Sequence, residues 1–486
     1  MSYSVANLEP KVLWRYFDEI RKIPHGSGNE KALGEAIMGW AKEKGCEAAV
    51  DKKGNVIVRI PATPGKENAP TVVLQGHIDM VCEKNSDKVF DFTKDSISLV
   101  RDGDWIKADG TTLGADNGIG AAVGLAFLED KSSEHGPLEL LLTVEEEIGL
   151  FGASALEPGF VKGRLLFNLD SEEDGVFYVG CAGGRDTHMN LPLARDKAPG
   201  DHSCFTVEVK GLRGGHSGLD IIHNRGNAIR LLGRAIDRAR GDIDLRVVSL
   251  EGGDKHNAIP REAKAVITVK KGSEDTLRGI FANSLEGFRD EFASAEPELS
   301  LTVTTCPMPT EVLGAATTKS VLALVLGIPH GVLAMVRGMD GMVETSSNLA
   351  RVRTEADTFA ILCSSRSSVA SALDGVIAQL RSVGESCGAQ VNTNPGYPGW
   401  KPNLDSTMLA KAKEAWRAME GKDAKFQVIH AGLECGIIGE RYPGMDMISL
   451  GPTIQNPHSP DECVSISSVE RFYNFVRAFL TALANN

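Results

Sequence analysis

The sequence predicts an α/β fold: a mixed sheet flanked by helices, discontinuous in the chain, with an inserted α+β domain of two similar halves. Three observations predict it. Helical and strand periodicities alternate through the first third of the chain. From about Gly184 the pattern changes to strand, glycine turn and helix, and this plan recurs after Val312. Beyond the turn-rich stretch Pro395–Trp400 the α/β texture returns. A chain of 486 residues is too long for one core. The boundaries expected are residues 1–183 and 401–486 for the discontinuous domain and 184–400 for the inserted, lid-like one.

The elements follow in order. Leu13, Trp14, Phe17 and Ile20 mark a helix over Leu8–Lys22, and Leu33, Ile37, Trp40 and Ala41 mark another over Asn29–Lys44. Asn55–Ile60 and Thr71–Leu74 read as strands separated by a Pro- and Gly-containing loop. A small-residue helix is expected over Ala121–Leu128, then buried strands over Leu138–Val144 and Arg164–Leu169. In the insertion, strand Phe205–Val209, helix Gly226–Arg240, strand Ala265–Val269 and helix Ser273–Phe292 form one half. Helix Thr318–Leu326, strand Thr358–Cys363 and helix Ser367–Ser386 form the other, with Asn257 and Asn348 preceding their strands alike. Helix Leu409–Met419, strand Met447–Leu450 and a closing helix Ser467–Ala484 complete the first domain.

Composition narrows the ligand class. A net charge of −13 with no basic stripe argues against nucleic acid and leaves small molecules. Nine scattered cysteines without a Cys-x-x-Cys pair fit a reducing compartment and read as core fillers. No signal-peptide pattern and no span-length apolar run occurs, so a cytoplasmic protein without membrane contact is expected.

Acidic and imidazole groups cluster at strand ends. Val72–Met80 is an apolar run closing on His77 and Asp79, which period two places on one face. Such a pair suits a metal-bound imidazole held by a carboxylate, and equally a surface hydrogen bond. Thr111–Gly120 loosely mimics a phosphate-binding turn. Its spacing is not G-x-G-x-x-G, however, and Asp116 would repel a pyrophosphate. Strand Leu138–Val144 runs into Glu145, Glu146 and Glu147; a solvated turn is the ordinary account, and a metal with its water the alternative. Strand Arg164–Leu169 ends in Asp170, again at the carboxyl end where ligands bind in open α/β sheets.

Taken together, Gln75–Met80, Thr112–Gly118, Glu146–Gly149, Asn168–Glu173 and Pro457–Pro460 resemble the motif set of the co-catalytic zinc exopeptidases, in order and over nearly the whole chain. Within that family, His430–Gly436 and Gly451–Ile454 with Pro457–Glu462 are similar to the cytosolic branch cleaving Xaa-His dipeptides, including β-Ala-His (carnosine). The resemblance implies a metallo-exopeptidase holding two divalent ions, Zn²⁺ first and Co²⁺ or Mn²⁺ as substitutes. Its ligands would be His77, Asp116, Glu147, Asp170 and His458, with Asp116 bridging. It further implies that Asp79 orients His77, Glu146 is the general base, and the Asp116–Asn117 peptide is cis. His216, in a Gly-His-Ser turn, would stabilise the oxyanion; Asn257 and Arg366 would grip the substrate carboxylate; Glu434 would receive the free α-amino group. Glu145 is left as a solvent-facing neighbour. Simple members carry one half-lid and lend the histidine across a dimer, so a homodimer through the lid and action of His216 within its own chain both stay open.

Two other functions remain in view. A deacylase of N-acyl amino acids uses the same water attack, although an acid at Glu434 suits a free ammonium better. A catalytically silent metal-binding protein would have no need of Glu146.

Overall fold

The structure, a computed structural model, describes residues 3–485 and divides into two compact units. One runs to Gly180 and resumes over Trp400–Val428 and from Leu433; the other comprises Cys181–Gly399 and Ile429–Gly432.

The first unit is built on an eight-stranded mixed sheet in the order Glu47–Val50, Val56–Ile60, Leu138–Thr143, Val72–His77, Leu165–Asn168, Asp446–Ser449, Val176–Cys181, Lys425–Ile429. Val72–His77 lies parallel to both Leu138–Thr143 and Leu165–Asn168, with His77 opposite Thr143 and Gln75 opposite Asn168. Leu138–Thr143 and Val72–His77 are buried at every position, as expected of central parallel strands covered on both faces. Because the three strands run in register, their carboxyl ends emerge side by side. Helix Lys11–Ile20 buries Leu13, Trp14, Phe17 and Ile20, and begins after Pro10, whose fixed φ suits a helix start. Closing helix Ile466–Ala484 sets Phe472, Phe475 and Phe479 edge-to-face around Phe167, with ring centroids 5.4–6.4 Å apart. Ser465 caps it by accepting from the Ser468 amide.

A four-stranded sheet that periodicity missed proves decisive for the site. Its order is Ile454–Gln455, Cys463–Ser465, Trp105–Ala108, Leu99–Asp102. The hairpin of its first two strands has His458 and Glu462 in its loop, and Cys463 pairs with Lys107. The strands have only two to four residues, too few to show a period.

The second unit carries a nine-stranded antiparallel sheet. Its path is Ser300–Thr305, His202–Lys210, Ala263–Lys270, Leu245–Gly252, Val343–Thr354, Thr358–Ser367, Gly183–Pro192, Gln390–Thr393, with Gly331–Met335 paired to Val343–Thr354 off the path. The two halves read outward identically from the central pairing of Leu245–Gly252 with Val343–Thr354, where Gly252 faces Val352. Each half inserts one helix (Ala228–Asp242 or Ala315–Gly327) before its central strand and another (Glu274–Phe292 or Ala370–Ser386) before its outer strand. The expected duplication is thus present, but Asn257 and Asn348 are not equivalent. Asn257 lies in the connection after Leu245–Gly252, whereas Asn348 is inside the central strand Val343–Thr354. The shared motif was coincidental; pairing, not spacing, sets correspondence.

The cysteines also need correction. Cys181, Cys204, Cys363, Cys435 and Cys463 are buried, but Cys82 is exposed and Cys46, Cys306 and Cys387 are half-buried. No helix among the described residues is long and apolar enough to cross a membrane.

Candidate metal centre

His77 closes one parallel strand and Asp79 follows it, Glu146 and Glu147 follow a second, and Asp170 a third, so the in-register ends deliver them to one place. The Leu113–Asp116 loop brings Asp116 beside them. The 454–465 hairpin brings His458, whose φ of +59° lies in the left-handed region costly for a residue with a Cβ. The Asp116–Asn117 peptide is cis. Gly76 and Gly120 make room for the Asn117 side chain: a Cβ on either would fall within 2.4 Å of its Oδ1.

Asp116 divides its carboxylate. Oδ1 lies 3.1 Å from His77 Nε2, and Oδ2 lies 3.1 Å from His458 Nε2. His77 Nε2 is also 3.4 Å from Asp170 Oδ1, and His458 Nε2 is 2.9 Å from Glu147 Oε2. Two triads therefore share Asp116: His77–Asp116–Asp170 and Asp116–Glu147–His458. A third group of ligand-bearing atoms joins His77, Glu146 and Glu147. Glu147 Oε1 and Asp170 Oδ1 are buried without a hydrogen-bond partner. Carboxylates crowded out of water with open acceptor atoms call for cations, and this mix of oxygen and imidazole donors suits divalent metals.

The electrostatics agree. Burial, reinforced by Asp170, Glu434 and Glu147, holds the Glu146 carboxyl well above the usual range. Burial likewise lifts Asp170 to about 6. Against its own burial, the carboxylates of Asp170, Asp116 and Asp79 hold His77 well above its ordinary value, and hydrogen bonds to Asp116 and Glu147 push His458 up to about 11.

Asp79 faces both the histidine and the glutamates: against its own burial, its interaction with His77, followed by the Glu146 amide, holds its carboxyl below the usual range. His77 Nδ1 lies 2.9 Å from the Asp79 backbone carbonyl and 3.4 Å from its carboxylate. That carboxylate accepts from the amides of Glu146 (3.0 Å) and Glu147 (3.2 Å) and from the Ser27 hydroxyl (2.8 Å). Glu145 is not simply solvent-facing: its carboxylate pairs with Lys53 at 2.6 Å, turned aside by a φ of +50°.

Glu434 is fully buried at the start of helix Glu434–Arg441. Oε2 accepts from Gln75 (2.5 Å) and Thr143 (2.7 Å), while Oε1 has no partner. Burial pushes this carboxyl up to about 8.

His216, Asn257 and Arg366 belong to the second unit. His216 pairs with Ala258 in a short ribbon, and the Asn257 carbonyl accepts from the Ser217 amide at 2.8 Å, so the two segments are tied together. His216 Nδ1 accepts from the Gly218 and Leu219 amides at 3.2 and 3.1 Å, which leaves the ring proton on Nε2. Burial, aided by Arg366, lowers its pKa. Arg366 is buried; one Nη1–H donates to the Tyr397 hydroxyl at 2.8 Å and its Nε has no partner. A buried guanidinium with an open donor suits an anionic partner.

Sequence reasoning missed Glu462 and His430, although both lie inside quoted motifs. Glu462, 2% exposed, accepts from the amides of Leu113, Gly114, Ala115 and Asp116 at 2.7–3.2 Å. His430 Nε2 lies 2.7 Å from the Ser346 hydroxyl. His430 follows the five-residue strand Lys425–Ile429, a strand not expected from the sequence, and Glu462 precedes the three-residue strand Cys463–Ser465, too short to show a period.

Comparison with known proteins accords with this geometry. The profile of peptidase family M20/M25/M40 matches residues 73–482. The cytosol non-specific dipeptidase of Escherichia coli K12 is 43% identical over 476 residues, 98% of each chain. The crystal structure of aminoacylhistidine dipeptidase from Vibrio alginolyticus superposes with a TM-score of 0.96 at 43% identity, covering 99% of this chain and 98% of that one. Aminopeptidase PepT of Bacillus cereus, at 17% identity and a TM-score of 0.59 over 98% and 99% of the two chains, shares the fold. With the profile spanning most of its length and a relative this similar along nearly all of it, the chain belongs to peptidase family M20/M25/M40.

Proposed function

We propose that the protein is a cytosolic dipeptidase that hydrolyses Xaa-His dipeptides, β-Ala-His among them, at a centre of two divalent ions, Zn²⁺ by preference. One observation carries this: Asp116 offers a separate carboxylate oxygen to each of two ligand triads. His77 and Asp170 complete one, Glu147 and His458 the other. When bound, such ions polarise a scissile carbonyl and acidify a water.

The remaining work falls to the chain itself. Glu146 takes the proton of the attacking water on its carboxylate and delivers it to the departing amine. Asp79 fixes the Glu146–Glu147 turn through its two amides, and so sets where that base points. Glu434 Oε1, buried and open, receives the substrate's α-ammonium. Arg366 and Asn257 hold the far carboxylate. His216, neutral and protonated on Nε2, donates to the oxyanion. The tandem half-lids favour supply of His216 within one chain over a homodimer through the lid.

The test combines elemental metal analysis with hydrolysis of β-Ala-His, Gly-His, Gly-Leu and an N-acetyl amino acid. Two metals per chain and cleavage of the His-containing dipeptides are expected. Cleavage of the acetylated compound alone would establish the deacylase instead, and full turnover by Glu146→Gln would remove the assigned base.

A further inference from the structure

The second unit holds a feature that the proposed reaction does not use. Strand His202–Lys210 pairs antiparallel with edge strand Ser300–Thr305, and the register that sets Phe205 against Thr305 continues to set Cys204 against Cys306. The Cys306 amide donates to the Cys204 carbonyl at 3.0 Å, which holds the two opposite each other just past the end of the ladder. Their sulfurs are 2.8 Å apart. Residues directly opposite in antiparallel strands have Cα atoms about 4.5–5.5 Å apart, inside the range a disulfide spans. Closing to a bond needs less than about 1 Å of sulfur movement.

Both cysteines line a cleft of about 510 Å³ with Lys271, His202 and Met308; Cys204 is buried at its wall, whereas Cys306 is half-buried and the more accessible of the two.

We propose that Cys204 and Cys306 form a reversible dithiol–disulfide site, oxidised by small disulfides of the glutathione type. The Cys306 thiolate attacks one sulfur of the incoming disulfide, forming a mixed disulfide and releasing one thiol. Cys204 then gives up its proton and displaces the second thiol, forming the Cys204–Cys306 bond. The two protons lost by the cysteines appear on the two released thiols, and the small disulfide takes both electrons. The bond would staple the outermost strand of the first half-sheet to its neighbour.

The test uses the full chain with Cys82→Ser, Cys46→Ser and Cys387→Ser, purified reduced and incubated with oxidised glutathione. Two titratable thiols should disappear, peptide mass mapping should join the Cys204 and Cys306 peptides, and dithiothreitol should reverse both changes. Added to that chain, Cys204→Ser should stop at the intermediate, one glutathione heavier at Cys306; Cys306→Ser should leave the Cys204 peptide reduced and unlinked. The proposal is overturned if the thiol count of the chain that keeps both cysteines stays unchanged at a glutathione ratio that oxidises a reference vicinal dithiol. It is overturned equally if the mapped bond joins other cysteines.

Discussion

Glu462 and Asp116 are joined through the backbone: Glu462 Oε1 accepts from the Asp116 amide at 3.2 Å, across 346 residues of sequence. The same carboxylate holds the three preceding amides, so the loop presenting Asp116 hangs on one buried side chain. Glu462→Gln turns an amide NH₂ toward those N–H donors. Metal affinity should fall about 10- to 100-fold, as for other partners that orient ligands from behind. Metal titration followed by elemental analysis reads the change, and circular dichroism verifies that the fold is kept.

Glu146→Gln keeps the shape of the side chain and removes its basicity. kcat should drop about 10²- to 10⁴-fold with metal content unchanged. Loss of metal alongside activity would instead make Glu146 a ligand, a role its place near His77 and Glu147 also allows.

Asp116→Asn should reduce bound metal from two ions to fewer than one per chain, because both triads lose an anionic oxygen. His458→Asn touches only one triad and should leave the other ion in place. Chelation should lower the unfolding midpoint of the wild type, since ions that bind only the folded centre stabilise it.

Arg366 has an unpartnered buried Nε and a Tyr397 contact that a lysine cannot reproduce. Arg366→Lys should lower kcat/KM for dipeptides by about 10- to 100-fold, the scale of a lost charge-assisted bond. Dipeptide amides, lacking the carboxylate, should be affected far less. Steady-state kinetics on the two substrate series decides the matter.

Burial, helped by Arg366, pushes His430 down to about 3. An unfolded histidine titrates near 6.5. Below about pH 6.5 the unfolded chain therefore binds a proton that the folded one refuses, and stability declines as pH falls toward 3, by at most about 1.4 kcal/mol per pH unit. His430→Gln should flatten this slope in denaturant titrations at pH 7, 6 and 5.

Local order along the chain was enough to determine the alternation of helix and strand, the duplicated insertion and the placing of His77, Glu146, Glu147 and Asp170 at strand ends. Periodicity and the chemistry at the end of an apolar run depend only on near neighbours. The resemblance of five ordered motifs suggested the roles proposed for them. Tertiary structure alone decided the rest. Asp116 meets His77 39 residues away and His458 342 residues away because parallel strands align their ends and a short C-terminal hairpin docks on Trp105–Ala108. The docked hairpin also made Glu462 a support. In the second unit, the antiparallel sheet buried Arg366, set Cys204 against Cys306 and dissolved the apparent match of Asn257 with Asn348. Those relationships belong to strand register and hairpin docking, which no single segment encodes.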